Sequence, residues 1–239
     1  MRAEPGVLAP GMMLAPAELA KLQAWFSPAF PIGSFSYSHG LEWAVETRQV
    51  HDAPSLAGWV RGVLRHGAGR SDAILLGAAW RAVCAEDWAE AAGLHALAAA
   101  LQPTAERRLE SLGQGTAFLA AVAAGWPNPA IEAFAAHCPG ETAWPLAVGA
   151  ATAAHRLPLE AVLPVFLHAF AANLVSAGVR LVPLGQTDGL RVMAGLEPTF
   201  IALAREACAA GLDELGSASF LADIASMRHE TQYTRLFRS

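Results

Sequence analysis

The pentapeptide SYSHG at residues 36–40 brings serine hydroxyls and an imidazole together beside a glycine. Serine-hydrolase nucleophiles lie in a related pattern, GxSxG, at a sharp turn between a strand and a helix. Here serine stands where the first glycine belongs, and two prolines make residues 28–33 a poor central strand. An all-α hydrolase that uses Ser38, His39 and Asp188 is therefore only an alternative interpretation of the sequence.

A second pair with possible chemistry, His229-Glu230, begins the zinc-protease pattern HExxH. Tyr233 stands at the second histidine position, so the pattern fails, and the other histidines are scattered along the chain. Lys21 is the only lysine among 16 basic residues and lacks the glycines of a P-loop, which excludes nucleotide binding by that route. We therefore expect no catalytic residue and no cofactor bound directly.

Composition narrows the functional class further. Hydrophobic residues make up 54% of the chain and charged residues 15%, against about 25% charged in an average globular protein. So little polar surface indicates a large core or an apolar surface that meets a partner. The net charge of -5 argues against nucleic acid as a partner. The three widely spaced cysteines form no disulfide framework.

The N-terminus and the most apolar segment carry no evident membrane signal. The N-terminal residues lack the continuous apolar core of a signal peptide. The most apolar segment, residues 159–177, contains Glu160, Pro164, His168 and Asn173, and it is interpreted as a buried helix. We therefore expect a cytoplasmic protein that binds no membrane.

The elements that position these residues are predicted to be helices. One apolar stripe has its members at helical spacing: Leu56, Trp59, Val60, Val63 and Leu64. Proline and glycine clusters divide the chain into segments of about 10–20 residues. These patterns predict an all-α, single-domain bundle of about eight to ten helices. Residues 1–17 are predicted to be a flexible arm, residues 18–228 the helical domain, and residues 229–239 a tail that docks on a partner.

Three segments are richer in chemistry than packing alone requires. Residues 27–46, SPAFPIGSFSYSHGLEWAVE, combine serine, glycine and aromatic side chains, which suit either contact surfaces or a buried loop with helix caps. Residues 183–189, PLGQTDG, suit a tight turn or a partner contact. Residues 229–239 alternate arginine with Tyr, Leu and Phe, which anchor interfaces, so we expect this tail to dock on its own body or on a partner.

The three motifs, in their order along the chain, resemble those of the urease accessory protein UreF family. The resemblance covers about residues 18–239. The resemblance implies an all-α fold, a homodimer and no enzymatic activity of its own. It also implies that the chain binds the accessory protein UreD (also called UreH). The complex would then recruit UreG, a GTPase that carries nickel, and deliver the ion to apo-urease. The resemblance therefore implies that nickel is handled by the complex and is not a cofactor of this chain.

The resemblance also implies which residues contact partners. The loop expected to face UreG contributes Gln186, Asp188 and Gly189. The tail expected to order on binding UreD contributes Tyr233, Arg235, Phe237 and Arg238. The N-terminal signature contributes Tyr37, His39 and Glu42. Leu190 stands where relatives often have glutamine, so no polar role is expected there. A stand-alone nickel-binding protein is the second alternative, although the clustered histidines of a metal store are absent.

Overall fold

The computed structural model describes residues 14–239, so most of the predicted N-terminal arm lies outside the described residues. The helices are α1 (Pro16–Trp25), α2 (Leu41–Glu46), α3 (Ala53–His66), α4 (Ala68–Cys84), α5 (Trp88–Ala100), α6 (Ala105–Gly125), α7 (Pro129–His137), α8 (Trp144–Ala154), α9 (Leu159–Leu181), α10 (Gln186–Ala209) and α11 (Phe220–His229). Short 3-10 turns occupy Ser34–Ser36 and Leu212–Glu214. Residues 14–239 contain no strand, so the predicted all-α, single-domain fold is confirmed.

Side-chain caps fix where several helices begin. The Asp52 carboxylate accepts a hydrogen bond from the Ser55 N–H at 2.8 Å at the start of α3. Thr104 caps α6 through the Arg107 N–H at 3.1 Å. Asn128 accepts from the Ala130 N–H at 2.9 Å at the start of α7. Each cap satisfies a backbone donor that the first helical turn leaves without a partner.

Small residues allow the central helices to approach closely. Helix α8 is buried along its length and packs against α4 and α6. A Cβ atom at Gly149 would lie 2.6 Å from the Leu76 carbonyl of α4, and one at Gly115 would lie 2.1 Å from the Thr142 carbonyl. Because side chains cannot tolerate such distances, these glycines permit the α4–α8 and α6–α8 contacts.

Helix α9 runs through the core and packs against α10 and α3. Among residues 14–239 it is the one helix that is long and apolar enough to cross a membrane by length and composition, and 56% of its most apolar window is buried inside the structure. Phe166, Leu167 and Leu174 are among its buried side chains. The segment is therefore the buried helix that its sequence suggested, and its apolarity is explained by the core.

Candidate partner-binding site

The N-terminal signature folds into a loop that ends in two left-handed residues. His39 has φ 61° and Gly40 has φ 75°, a conformation that few side chains adopt without cost. The loop thereby places α2 in contact with α11. A Cβ atom at Gly40 would lie 2.7 Å from the Ser226 backbone nitrogen, so this position admits only glycine without a shift in α11.

The C-terminal tail, residues 230–239, lies on this same loop. The Arg238 N–H donates to the Ser36 carbonyl at 2.8 Å, and the Ser38 N–H donates to the Ser239 carbonyl at 2.7 Å. The Ser38 hydroxyl also donates to the Ser239 carbonyl. Two motifs from opposite ends of the chain therefore form a single structural unit. The resemblance implied that the tail orders on binding UreD, which stays a prediction, but in the single chain the tail already lies against the loop.

A buried aromatic residue anchors the tail. Phe237 is 4% exposed, and the guanidinium of Arg180 lies 4.4 Å from its ring centroid. Arg180 also donates to the Phe35 carbonyl at 3.0 Å. One α9 side chain thus contacts both the tail and the signature loop. The cation–π contact and the burial of the ring both favour the docked tail.

Two buried carboxylates bind the tail backbone and the end of α11. Glu42 accepts from the Leu236 N–H at 2.7 Å and from the Phe237 N–H at 2.9 Å. The Glu106 carboxylate lies 3.0 Å from Arg235 Nη1. His229, which is fully buried, lies between the two acids, with Nε2 3.1 Å from Glu42 and Nδ1 2.8 Å from Glu106. These four side chains are called the tail cluster below.

A second buried group of charges lies beside the tail cluster. Arg107 pairs with Glu110, and Ser239 donates its hydroxyl to Glu110 at 2.9 Å. Burial alone would raise the pKa of Glu110, but the Arg107 charge together with the hydrogen bonds from His39 and Arg107 lowers that pKa to about 2. Burial and Arg107 lower the pKa of His39 to about 4, so this imidazole is neutral near neutral pH. Burial also raises the pKa of Asp72 to about 7.

Two cavities meet at this second group. One of about 210 Å³ is lined by Trp25, Trp144 and Phe170 as well as by polar side chains, and a smaller one of about 80 Å³ lies on the other side. His39, Asp72 and Arg107 line both. These three side chains therefore lie between the two cavities.

The geometry gives the hydrolase alternative no support. Ser38 is fully buried, and its hydroxyl bonds the Ser239 carbonyl. The adjacent His39 ring lies 3.7 Å from Glu110, not at a serine. A nucleophile must reach its substrate and a general base, and Ser38 reaches neither here.

Within residues 14–239 no group of three or more His, Cys, Asp or Glu side chains could hold a metal ion.

The predicted UreG-facing loop opens α10. Gln186 is exposed, and Asp188 pairs with Arg191 at 3.1 Å on the surface. Gly189 is buried, and its Cβ position lies 2.9 Å from Val179, so this glycine serves the packing of α10 on α9. Gly185 stands at the N-cap of α10, and no side chain bonds there.

The predicted contact residues thus divide into two groups. The exposed group comprises Gln186, Asp188, Tyr233, Arg235 and Arg238, of which Asp188 is partly covered. The buried group comprises Tyr37, His39, Glu42, Gly189 and Phe237. Buried members hold the fold and the tail in this conformation. Their role as partner contacts stays a prediction.

Helix α11 adds a surface that sequence reasoning missed. Its large apolar side chains Phe220, Leu221, Ile224 and Met227 are between 51% and 69% exposed. Two tail residues that follow in the chain, Tyr233 and Leu236, are also exposed. The spacing i, i+1, i+4 and i+7 marks one helical face, and this spacing is visible in the sequence. The sequence does not show that the face points outward, because core helices carry the same pattern.

Comparison with known proteins identifies the family. The family model UreF matches residues 50–197, more than half of the chain. A urease accessory protein UreF of Rhodopseudomonas palustris (strain BisB5) is 54% identical over 223 residues, which cover 93% of this chain and 92% of the relative. That of strain BisA53 is 49% identical over 236 residues, 99% of this chain and 98% of the relative. That of Xanthobacter autotrophicus is 53% identical over 225 residues, which cover 94% of this chain and 93% of the relative. The chain therefore belongs to the urease accessory protein UreF family.

Proposed function

We propose that this chain is a non-catalytic, cytoplasmic adaptor in urease maturation, which binds UreD and UreG and helps to deliver nickel to apo-urease. The family supports a role in urease maturation. The observation that carries the adaptor role is the exposed apolar face of α11, followed in the chain by the docked tail with Tyr233 and Leu236 outward. Exposed apolar side chains grouped on one element are typical of protein interfaces.

The α11 face and the exposed tail residues are proposed as the UreD-binding surface. The exposed tail residues include an aromatic residue and an arginine, Tyr233 and Arg235, and these residue types dominate interface energetics. The tail cluster bonds the tail at residues 235–237 and so holds it against α2 and α6 in the docked conformation.

The start of α10 is proposed as the UreG-facing surface. Gln186, Asp188 and Leu190 are exposed or partly covered there, and Arg191 adds an exposed positive charge. UreG would supply the nucleotide chemistry, because this chain has no P-loop. Two copies of the chain are proposed to pair, so that each assembly presents two such surfaces.

Size-exclusion chromatography of the chain with purified UreD, and then with UreG, tests the adaptor role. We expect a stable complex with UreD that retains UreG. The substitution Ile224→Arg should abolish the UreD complex, because it places a charge in the apolar face. Leu19→Arg is the matched control, since Leu19 is a similarly exposed residue on α1 (56% against 51%). Loss of the complex with both substitutions, or with neither, would contradict the proposed surface.

A further inference from the structure

The guanidinium of Arg107 is buried but only partly satisfied. Its side chain is 5% exposed, and among residues 14–239 the guanidinium makes a single contact with a hydrogen-bond acceptor, from Nη1 to Glu110. Nε and Nη2, which form one edge of the guanidinium, have no protein partner there. A buried N–H group without an acceptor is costly, because it has lost its bonds to water. The open edge therefore requires an acceptor from outside the described chain.

Asp72 provides a second unsatisfied group in the same place. It is 5% exposed, and its carboxyl makes no hydrogen bond with the described residues. Burial raises its pKa to about 7, so at lower pH it is a carboxylic acid with an O–H donor. Arg107 lies near enough to oppose this rise in the pKa, yet the two side chains form no ion pair. A gap therefore separates two buried polar groups.

Both side chains border open space. Among residues 14–239, the fully enclosed side-chain atoms that lack a partner belong to Trp25, Trp59, Trp144 and Gln232. Arg107 and Asp72 are not in this set, so their unpartnered atoms face the two cavities that they line. The larger cavity has a volume of about 210 Å³, whereas ~10–15 Å³ suffices for one water molecule. It therefore has room for a molecule of several heavy atoms.

The larger cavity combines apolar walls with an opening. The rings of Trp25, Trp144 and Phe170 are among its walls. Phe35 and Ser176 also line it and are exposed, so it opens to solvent between the signature loop and α9. The tail, residues 230–239, contributes to the lining of neither cavity. The space is therefore accessible to a small molecule and contains no part of the tail.

The open donors favour an anion as the occupant. The edge of a guanidinium that Nε and Nη2 form matches the two oxygens of a carboxylate. An organic cation would leave these donors unpaired and would be repelled by Arg107. A metal ion is also disfavoured, because no group of three or more His, Cys, Asp or Glu in residues 14–239 could hold one. Glu110, whose pKa is lowered to about 2, adds a negative charge nearby, so a monovalent anion fits better than a divalent one.

We propose that the space between Arg107 and Asp72 binds a small monovalent carboxylate, whose oxygens accept from the open guanidinium edge and from the Asp72 carboxylic acid. The apolar part of this ligand lies against the aromatic walls of the larger cavity. One molecule thereby completes the hydrogen bonds of two buried groups. The site goes beyond the proposed function and does not rest on it, because neither residue belongs to the proposed UreD or UreG surface.

Nitrogen NMR of the tryptophan-labelled full chain tests the site at about pH 6, where Asp72 holds its proton. Sodium butyrate, butyramide and n-butylammonium chloride are titrated at equal ionic strength, because they differ in charge and little in size. The indole signals of Trp25 and Trp144 should shift saturably with butyrate, with an affinity at least about tenfold above that for the other two probes. The Trp59 signal should stay in place, since Trp59 lines neither cavity.

Two results of this titration would overturn the proposal. One is equal affinity for the three probes, which would mean that the cavity does not select by charge. The other is the absence of any saturable shift with butyrate, which is expected of a cavity that holds water alone. The measurement contains neither UreD nor UreG, so failure of the proposed function would leave it unaffected.

A substitution at Arg107 tests the role of the open edge. Arg107→Lys keeps a positive charge beside Glu110 but has no planar pair of donors, so butyrate should bind about tenfold more weakly. Arg70→Lys is the matched control, because Arg70 pairs with Glu214 near the surface and lines neither cavity. It should bind butyrate as the wild type does. A folded Arg107→Lys chain with wild-type affinity would contradict the site.

A pair of substitutions at Asp72 provides an independent test. Asp72→Asn keeps an N–H donor, so its affinity for butyrate should stay within about threefold of wild type. Asp72→Ala removes the donor and should weaken binding by about tenfold. Circular dichroism establishes that each variant keeps its helices, and if Arg107→Lys does not fold, the Asp72 pair decides. Equal affinities of the two Asp72 variants would refute the proposed contact.

Discussion

The backbone N–H of Ser38 donates to the carbonyl of Ser239 at 2.7 Å, and this bond joins residues 201 positions apart. Both residues are fully buried. The C-terminal tail therefore docks on the N-terminal signature. A change in either motif should therefore disturb the other.

Deleting Leu236–Ser239 should separate partner binding from folding. The deletion removes the buried Phe237 ring and the bonds to Ser36 and Ser38, so unfolding should require about 3 kcal/mol less. Far-UV circular dichroism should be nearly unchanged, because the helices lie outside the deleted segment. Size-exclusion chromatography should show no complex with UreD. A truncated chain that has lost its helices would make the tail part of the core instead.

Gly40→Ala should be much more harmful than Gly33→Ala. Both glycines have φ near 70°, and the left-handed conformation alone costs an alanine about 1 kcal/mol. Only at Gly40 would the new Cβ meet backbone, at 2.7 Å from Ser226, whereas Gly33 has open space. Urea unfolding should give a loss above about 2 kcal/mol for Gly40→Ala and about 1 kcal/mol for Gly33→Ala. Equal losses would mean that α2 and α11 do not pack as described.

Asp188→Ala should impair UreG recruitment while it leaves UreD binding intact. The Asp188–Arg191 pair is on the surface, and exposed pairs of this kind contribute at most about 1 kcal/mol. Thermal unfolding should therefore shift little. A pull-down of UreG by the preformed complex with UreD should be weakened. Unchanged recruitment would remove this loop from the proposed UreG surface.

Asp72→Asn should stabilise the chain at alkaline pH. Burial, opposed by Arg107, raises the pKa of Asp72 from 3.8 to about 7. Between those values the folded chain holds a proton that the unfolded chain has released, so the free energy of unfolding falls as pH rises through that window. Asparagine stays neutral, so the variant should gain at most about 4 kcal/mol over wild type at about pH 8, and less at about pH 5.

Chemical denaturation at both pH values measures that difference. A variant that is destabilised equally at the two pH values would show that the Asp72 carboxylate is ionised in the folded chain. The wall of the cavity would then contain an ionised Asp72, whereas the burial of Asp72 predicts a neutral acid.

The sequence predicts the fold class well, because helical periodicity and turn residues are local signals. Residues 27–46, 183–189 and 229–239 also stand out by composition. Their mutual placement does not follow from composition, since Glu42 and Leu236 meet only after α2, α6 and α11 have packed. The contacts of His229 with Glu42 and Glu106 are likewise invisible, because a lone histidine in sequence shows neither of its partners. The outward face of α11 requires knowing which side the core covers.

Nickel content of urease, co-expressed with UreD and UreG, tests the central claim most directly. The comparison uses cells with this chain, without it, and with its Ile224→Arg variant, and metal is measured on purified urease. The proposed function predicts nickel-loaded, active urease only with the wild-type chain, and largely apo-urease in the other two. Full nickel and activity without the chain would contradict its role as an adaptor in urease maturation.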